Sequence, residues 1–188
     1  MAVFIVGYGT LLYRKSVGDT IGHSAKEKAY HPVIVKGYKR VFNLLPSHYE
    51  PSYRISDQPV ERAAANIVSC EGALFNGLAF EVSDDELTEI DRRESHYDRI
   101  EVIIYDFESR NAIGNGYVYT ANTERATLTD DARFLPDWID ISWARTGAYR
   151  ISPDFGLMYD QTTFLADCRT AVVERYAPYL DELIIKET

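Results

Sequence analysis

Ala73-Leu74-Phe75-Asn76-Gly77-Leu78-Ala79-Phe80-Glu81-Val82 runs without a break into Ser83-Asp84-Asp85-Glu86-Leu87-Thr88-Glu89-Ile90-Asp91-Arg92-Arg93-Glu94, and Ser95-His96-Tyr97-Asp98-Arg99 follows. The first ten residues read as strand, with Asn76-Gly77 either a hairpin turn or a bulge inside one long strand. Ser83 followed by Glu86 makes a capping box, and Asp84 and Asp85 fall in the first turn, where the positive end of the helix dipole favours them. A helix is expected to begin near residue 84. Within it Leu87, Ile90 and Glu94 sit at i, i+3 and i+7, one stripe of a period-3.6 surface, while Asp85, Glu89, Arg92 and Arg93 fall elsewhere. Glu94 thus points the way the apolar face points. A carboxylate there is partly desolvated, which disfavours its charged form and raises its pKa toward the range useful for proton transfer at neutral pH. The alternative is a frayed helix end, at which Glu94 turns outward to an ordinary ion pair with Arg93 or Arg99.

Upstream, Val3-Phe4-Ile5-Val6 is a short apolar run stopping at Gly7-Tyr8-Gly9-Thr10, a buried first strand ending in a tight turn. Pro32 to Leu45, broken at Gly37, reads as a bent strand pair or a bulged strand. Residues 46 to 69 hold three prolines and no clean period. They read as a long loop of the functional kind, placed to overhang a site. Downstream, Ile100 to Phe107 and Gly116 to Ala121 form a hairpin through residues 110–115. Phe164, Leu165, Cys168, Val172 and Tyr176 recur at helical spacing, so a final helix is expected over about Gln161 to Ala177, stopped by Pro178. The order is strand-rich with few helices, an α+β class.

The chain has 188 residues, 46% of them hydrophobic, which suits one domain. A formal net charge of −9 at pH 7 argues against a nucleic-acid partner, since phosphate binding needs clustered Lys and Arg. No run approaches the roughly 18 to 20 apolar residues of a membrane span, and the N-terminus lacks the pattern of a signal peptide. A soluble, cytoplasmic protein is expected, with no membrane partner; no oligomeric state follows from the sequence. Cys70 and Cys168 are too few for a disulfide framework, no cluster has metal-ligand spacing, and both cysteines read as small buried apolar residues. Nothing favours a nucleophilic pair of Cys70 with His48 or His96 over chance. The 14 tyrosines and eight phenylalanines decide nothing by themselves.

Gly7-Tyr8-Gly9-Thr10-Leu11 after the first strand, Gly37-Tyr38-Lys39-Arg40-Val41-Phe42 some thirty residues on, and Ile90-Asp91-Arg92-Arg93-Glu94 followed by Tyr97-Asp98-Arg99 and Val102 together resemble the gamma-glutamylcyclotransferase-like superfamily in order and separation. The resemblance covers roughly residues 3 to 121. It implies a compact mixed β-barrel with few helices, a loop that holds substrate through backbone amides, here Tyr8, Gly9, Thr10 and Leu11, and one glutamate as acid and base, here Glu94. Thr10 stands where the family more often has serine, and Ser95-His96 replaces a glycine-containing link. The tail from about 137, with Trp138, Trp143 and Gly147, resembles only loosely the extended C-terminal part of some members, and no catalytic role is carried onto it.

The implied reaction needs no cofactor and no metal. A small-molecule γ-glutamyl compound cyclises to 5-oxoproline and expels an amine, which is an amino acid, a dipeptide as in glutathione, a polyamine or a lysine side chain. Arg40, Tyr97 and Tyr119 are further candidates for substrate contact, each with a structural alternative: an exposed strand arginine, and buried tyrosines bonded for packing. The rival function is a non-catalytic module on the same fold that binds a small acidic metabolite.

Overall fold

The computed structural model describes residues 3–45 and 62–185. Strand β1 (Val3–Gly7) leads through a 3₁₀ turn (Thr10–Leu12) into helix α1 (Arg14–Ile21), and two long strands follow, β2 (Tyr30–Leu45) and β3 (Ala64–Val82). Helix α2 (Asp84–Arg93), the hairpin of β4 (Tyr97–Asp106) and β5 (Ala112–Ala121), and the short β6 (Thr127–Leu128) come next. The chain finishes with α3 (Trp138–Ile151), α4 (Pro153–Gln161), β7 (Thr163–Leu165) and α5 (Val172–Arg175).

Strands run in the order β3-β1-β5-β4-β2, and β2 pairs back onto β3, closing a five-strand barrel. Four of its seams are antiparallel; β1 and β5 meet in parallel at Ile5 and Tyr117. The apolar run Val33-Ile34-Val35 shows why β2 has no simple alternation. Val33 and Val35 join the barrel interior with Val6, Phe75, Ala79, Val102 and Val118, while Ile34 faces outward onto Ala148, Phe155 and Tyr159 of α3 and α4. A strand covered on both faces reads as a continuous hydrophobic run. A third cluster, Ile5, Val17, Phe80, Val82 and Ile90, seats α1 and α2 against the barrel.

Helix α2 begins at Asp84, and its capping box is complete: Glu86 N–H donates to Ser83 Oγ at 3.3 Å and Ser83 N–H to Glu86 Oε2 at 2.7 Å. Residues 30–45 form one bulged strand, with Gly37 at φ 86° where the β2–β3 register shifts. Asn76-Gly77 is neither hairpin nor bulge, because it pairs in regular register with Ile34 and Val33; the irregularity lies opposite Gly37. The expected loop over 46–69 is corrected at its end, where residues 64–69 are strand held against β2; residues 46–61 lie outside the described residues. The β4–β5 turn falls at 107–111, so four residues of the expected 110–115 loop, 112–115, belong to β5 instead, with Ala112 paired to Tyr105.

The final helix is not at Gln161–Ala177. Ser152 caps α4 through Phe155 N–H at 3.1 Å with Pro153 in its first turn, so this longer helix ends at Gln161 where the expected one was to begin, and beyond it only the single turn α5 of the expected span is α-helical. Thr163–Leu165 then adds to the edge of β2 in parallel, and Asp167 turns the chain by accepting from the N–H groups of Arg169 and Thr170. Sheet pairing outweighs the helical spacing there. Cys70 and Cys168 are half-buried, not buried as expected. No helix among the described residues is long and apolar enough to cross a membrane.

Candidate active site

A cavity of about 450 Å³ opens where β1 ends, walled by residues 6–11, Phe42, Leu44, Ala64, Ala65, the end of α2 with His96 and Tyr97, Tyr119 of β5 and Asp140 of α3. Its floor is the turn after β1. A Cβ on Gly7 would lie 2.7 Å from Leu11 Cβ and from Leu11 O, so glycine is what lets the chain fold back here. Leu12 N–H donates to Gly9 O and Tyr13 N–H to Thr10 O, each at 3.0 Å. The amides of Thr10 and Leu11, at the start of this 3₁₀ turn, have no acceptor among the described residues. Helix α3 presses on the turn from behind: Gly147 packs against the Leu12 carbonyl, and Trp143 meets the Tyr13 ring at 5.8 Å.

Glu94 is the residue that ends α2, its N–H still bonded to Ile90 O at 2.9 Å, and its side chain is 17% exposed. Both sequence readings of it meet in one geometry. It lines the cavity, and its Oε1 pairs with Arg93 Nε at 3.2 Å. Burial pushes its pKa up; the Arg93 guanidinium opposes this and the Asp140 carboxylate adds to it. Arg93 is committed elsewhere too. It donates to Ser16 O at 3.0 Å, Ser16 Oγ at 2.9 Å, Thr20 Oγ1 at 2.5 Å and Thr10 Oγ1 at 2.8 Å, which ties α1, the turn and α2 together.

The aromatic candidates converge on the cavity. Tyr8 is buried and donates to Tyr119 O at 2.6 Å; burial, with Tyr97 and Glu94 nearby, holds its hydroxyl well above the usual tyrosine range. Tyr119 donates to Asp91 Oδ1 at 2.6 Å and Tyr97 to Ala65 O at 2.7 Å. All three rings wall the cavity, while these hydroxyl hydrogens point to protein acceptors.

Arg40 is placed elsewhere. It is fully buried in the core, where Nη1 donates to Thr163 Oγ1 at 3.2 Å and Nη2 to Asn76 O and, at 2.9 Å, to Asn76 Oδ1. Its guanidinium lies 4.2 Å from the Tyr159 ring centre, and burial lowers its pKa to about 10. It is neither exposed nor a wall of the cavity. Neither Cys70 nor Cys168 lines the cavity, and His48 lies outside the described residues. The residue the sequence reading missed is Asp140. Its signal, Asp137-Trp138-Ile139-Asp140, looks like a helix start and nothing more.

The cavity thus brings a partly desolvated carboxylate to the same wall as two backbone amides that have no acceptor among the described residues. Residues 5–138 match the family described as gamma-glutamyl cyclotransferase, AIG2-like, and the chain belongs to that family. It is similar in structure to a gamma-glutamyl cyclotransferase at 12% identity, with 85% of this chain and 86% of that one covered and a TM-score of 0.64. It is similar also to an uncharacterized protein from Homo sapiens (15% identity, 84% and 86% covered, TM-score 0.62). A yeast gamma-glutamyl cyclotransferase specific to glutathione shares 13% identity over 100% of this chain and 90% of that one, with a TM-score of 0.50. At these identities the likeness is one of fold. No curated protein is matched by the sequence.

Proposed function

We propose that the protein converts a γ-glutamyl amide to 5-oxoproline and a free amine, with Glu94 as the single proton shuttle. The observation that carries this reading is Glu94 itself: a carboxylate with a raised pKa, at the wall of a cavity, in a chain of this family. The substrate's own α-amine attacks its γ-carbonyl carbon, a five-membered lactam closes, and the bond to the leaving nitrogen breaks. Glu94 takes the proton the α-ammonium gives up and returns one to the leaving nitrogen, a task suited to a group titrating nearer neutrality than an ordinary glutamate. Nucleophile and electrophile share one molecule, so the pocket mainly freezes the reactive rotamer, an effect worth about 7–11 kcal/mol in well-oriented intramolecular reactions. The unpaired amides of Thr10 and Leu11 are donors for the substrate carboxylate or the developing oxyanion. We read the whole chain as one domain, with the helices from Trp138 onward as its C-terminal extension.

The test is the product formed in oxygen-18 water. Attack by the internal amine yields unlabelled 5-oxoproline, at a rate insensitive to alkylation of Cys70 and Cys168. Labelled glutamate as the primary product would mean attack by water. Binding of 5-oxoproline without turnover of any γ-glutamyl amide would make the protein a metabolite-binding module.

A further inference from the structure

Asp140 is the third residue of α3, the position from which Glu86 of α2 reaches back to the N–H of its own cap. Asp140 does not reach back. The start of α3 is capped by Asp137, whose Oδ1 accepts from Ile139 N–H at 2.7 Å, and Asp140 makes no hydrogen bond or ion pair among the described residues. Its carboxylate lines the cavity instead, within electrostatic reach of Glu94. Asp137 and Glu94 share its sign, and the opposing charges near it are Arg93 and Arg62. Arg62 pairs with Asp137, and Arg93 is divided among Glu94, Thr10, Ser16 and Thr20. Arg93 is also the one Arg or Lys among the described residues lining the cavity. Two carboxylates therefore face a space whose wall offers one shared cation. Burial and Asp137 push the Asp140 pKa up to about 6, so near pH 7.5 it is ionised at a cost. A cation brought by a ligand would complete the set.

We propose that Asp140 is an ammonium-binding residue of this cavity, contacting a primary ammonium of the γ-glutamyl substrate. The assignment rests on the cyclotransferase reading for its substrate but not for its ligand chemistry. It lies two residues past the stretch matched to the family, which ends at residue 138. The ammonium has two sources, the substrate's α-ammonium or a second ammonium on the departing amine. One carboxylate does not serve both at once if Glu94 handles the reacting nitrogen.

The test compares wild type, Asp140→Asn and Asp140→Glu on γ-glutamyl-ethylamide, which carries the α-ammonium alone, and γ-glutamyl-putrescine, which carries both. In Asp140→Asn the KM is expected to rise about 10- to 100-fold with kcat changed far less, as for a lost hydrogen bond to a charged group, and Asp140→Glu to restore part of the loss. A rise on both substrates assigns the α-ammonium, and a rise confined to γ-glutamyl-putrescine assigns the departing amine. Unchanged KM on both overturns the proposal. If the wild type releases 5-oxoproline from neither, the cyclotransferase reading fails, and calorimetric titration with the same two compounds decides the ammonium site. Weaker binding by Asp140→Asn than by wild type upholds it; equal binding, or none by wild type, overturns it.

Discussion

The two ends of α2 each carry a glutamate, and the protein treats them in opposite ways. At the start, Glu86 accepts from Ser24 Oγ at 2.6 Å, Lys28 Nζ at 2.8 Å and Ser83 N–H at 2.7 Å. Both of its oxygens have donors, and those bonds outweigh desolvation to hold its pKa down at about 2. At the other end Glu94 has one arginine, itself shared among four other acceptor contacts, and its pKa moves up. By exposed area the two side chains are alike, at 15% and 17%, but Glu94 sits far deeper among protein atoms, and that burial leads its upward shift. Depth of burial and the number of donors around each carboxylate together send the two shifts in opposite directions.

The largest effect that would break this comparison is at Glu94. Glu94→Gln keeps the shape and removes the shuttle, so turnover is expected to fall about 10²- to 10⁴-fold with the melting transition preserved. Full turnover in a folded Glu94→Gln protein would place the proton transfer elsewhere. Glu86→Gln should do the reverse, leaving kcat alone and lowering unfolding free energy by about 1–2 kcal/mol through loss of charge-assisted bonds. Because Glu86 titrates lower in the folded state than in the unfolded one, its contribution is present above its unfolded pKa and is lost as pH falls through about 2. Urea midpoints of wild type and Glu86→Gln should therefore approach one another as pH drops below about 4.5.

The smallest effect has the opposite sign. Asp140 titrates higher folded than unfolded, so the folded state is penalised as pH rises through about 6 and not below the unfolded value. Asp140→Asn should be more stable than wild type by about 1–2 kcal/mol at pH 7.5, with the difference gone near pH 4. A gap independent of pH would mean that packing, not charge, sets it.

Much of α2 is legible in the sequence because its determinants are local. Ser83, Glu86 and the first-turn aspartates lie within one turn of each other, and the helical period then phases Glu94 inward. The barrel is legible through its strands and through the resemblance carried by Gly7-Tyr8-Gly9, Gly37 and Glu94, and these residues lie inside the stretch that matches the family. Arg40 was not, because its partners are remote: Asn76 and Thr163 are 36 and 123 residues away, and no local pattern states that they meet. Asp140 hides behind chemistry that has a sufficient local explanation, since an aspartate three residues after a capping aspartate already reads as a helix start. The misplaced last helix has the same origin in reverse. Phe164 and Leu165 keep helical spacing to Cys168 and Val172, but the edge of β2 captures them at Val41 and Phe42. Long-range pairing overrules local period wherever an open strand edge is within reach.

The parallel seam between Ile5 and Tyr117 joins the residues most distant in sequence of the barrel's five seams. The β4–β5 hairpin joins near neighbours and the β2–β3 pairs lie at most 50 residues apart, whereas this seam joins residues 112 apart and the Tyr8–Tyr119 bond beside it residues 111 apart. Closing a loop of that length is entropically late and kinetically slow. One side of the cavity, residues 6–11 and Tyr119, is made of residues that this closure brings together. A chain without the seam would lack that side of the pocket, so the cavity joins the earliest strand to one laid down more than a hundred residues later.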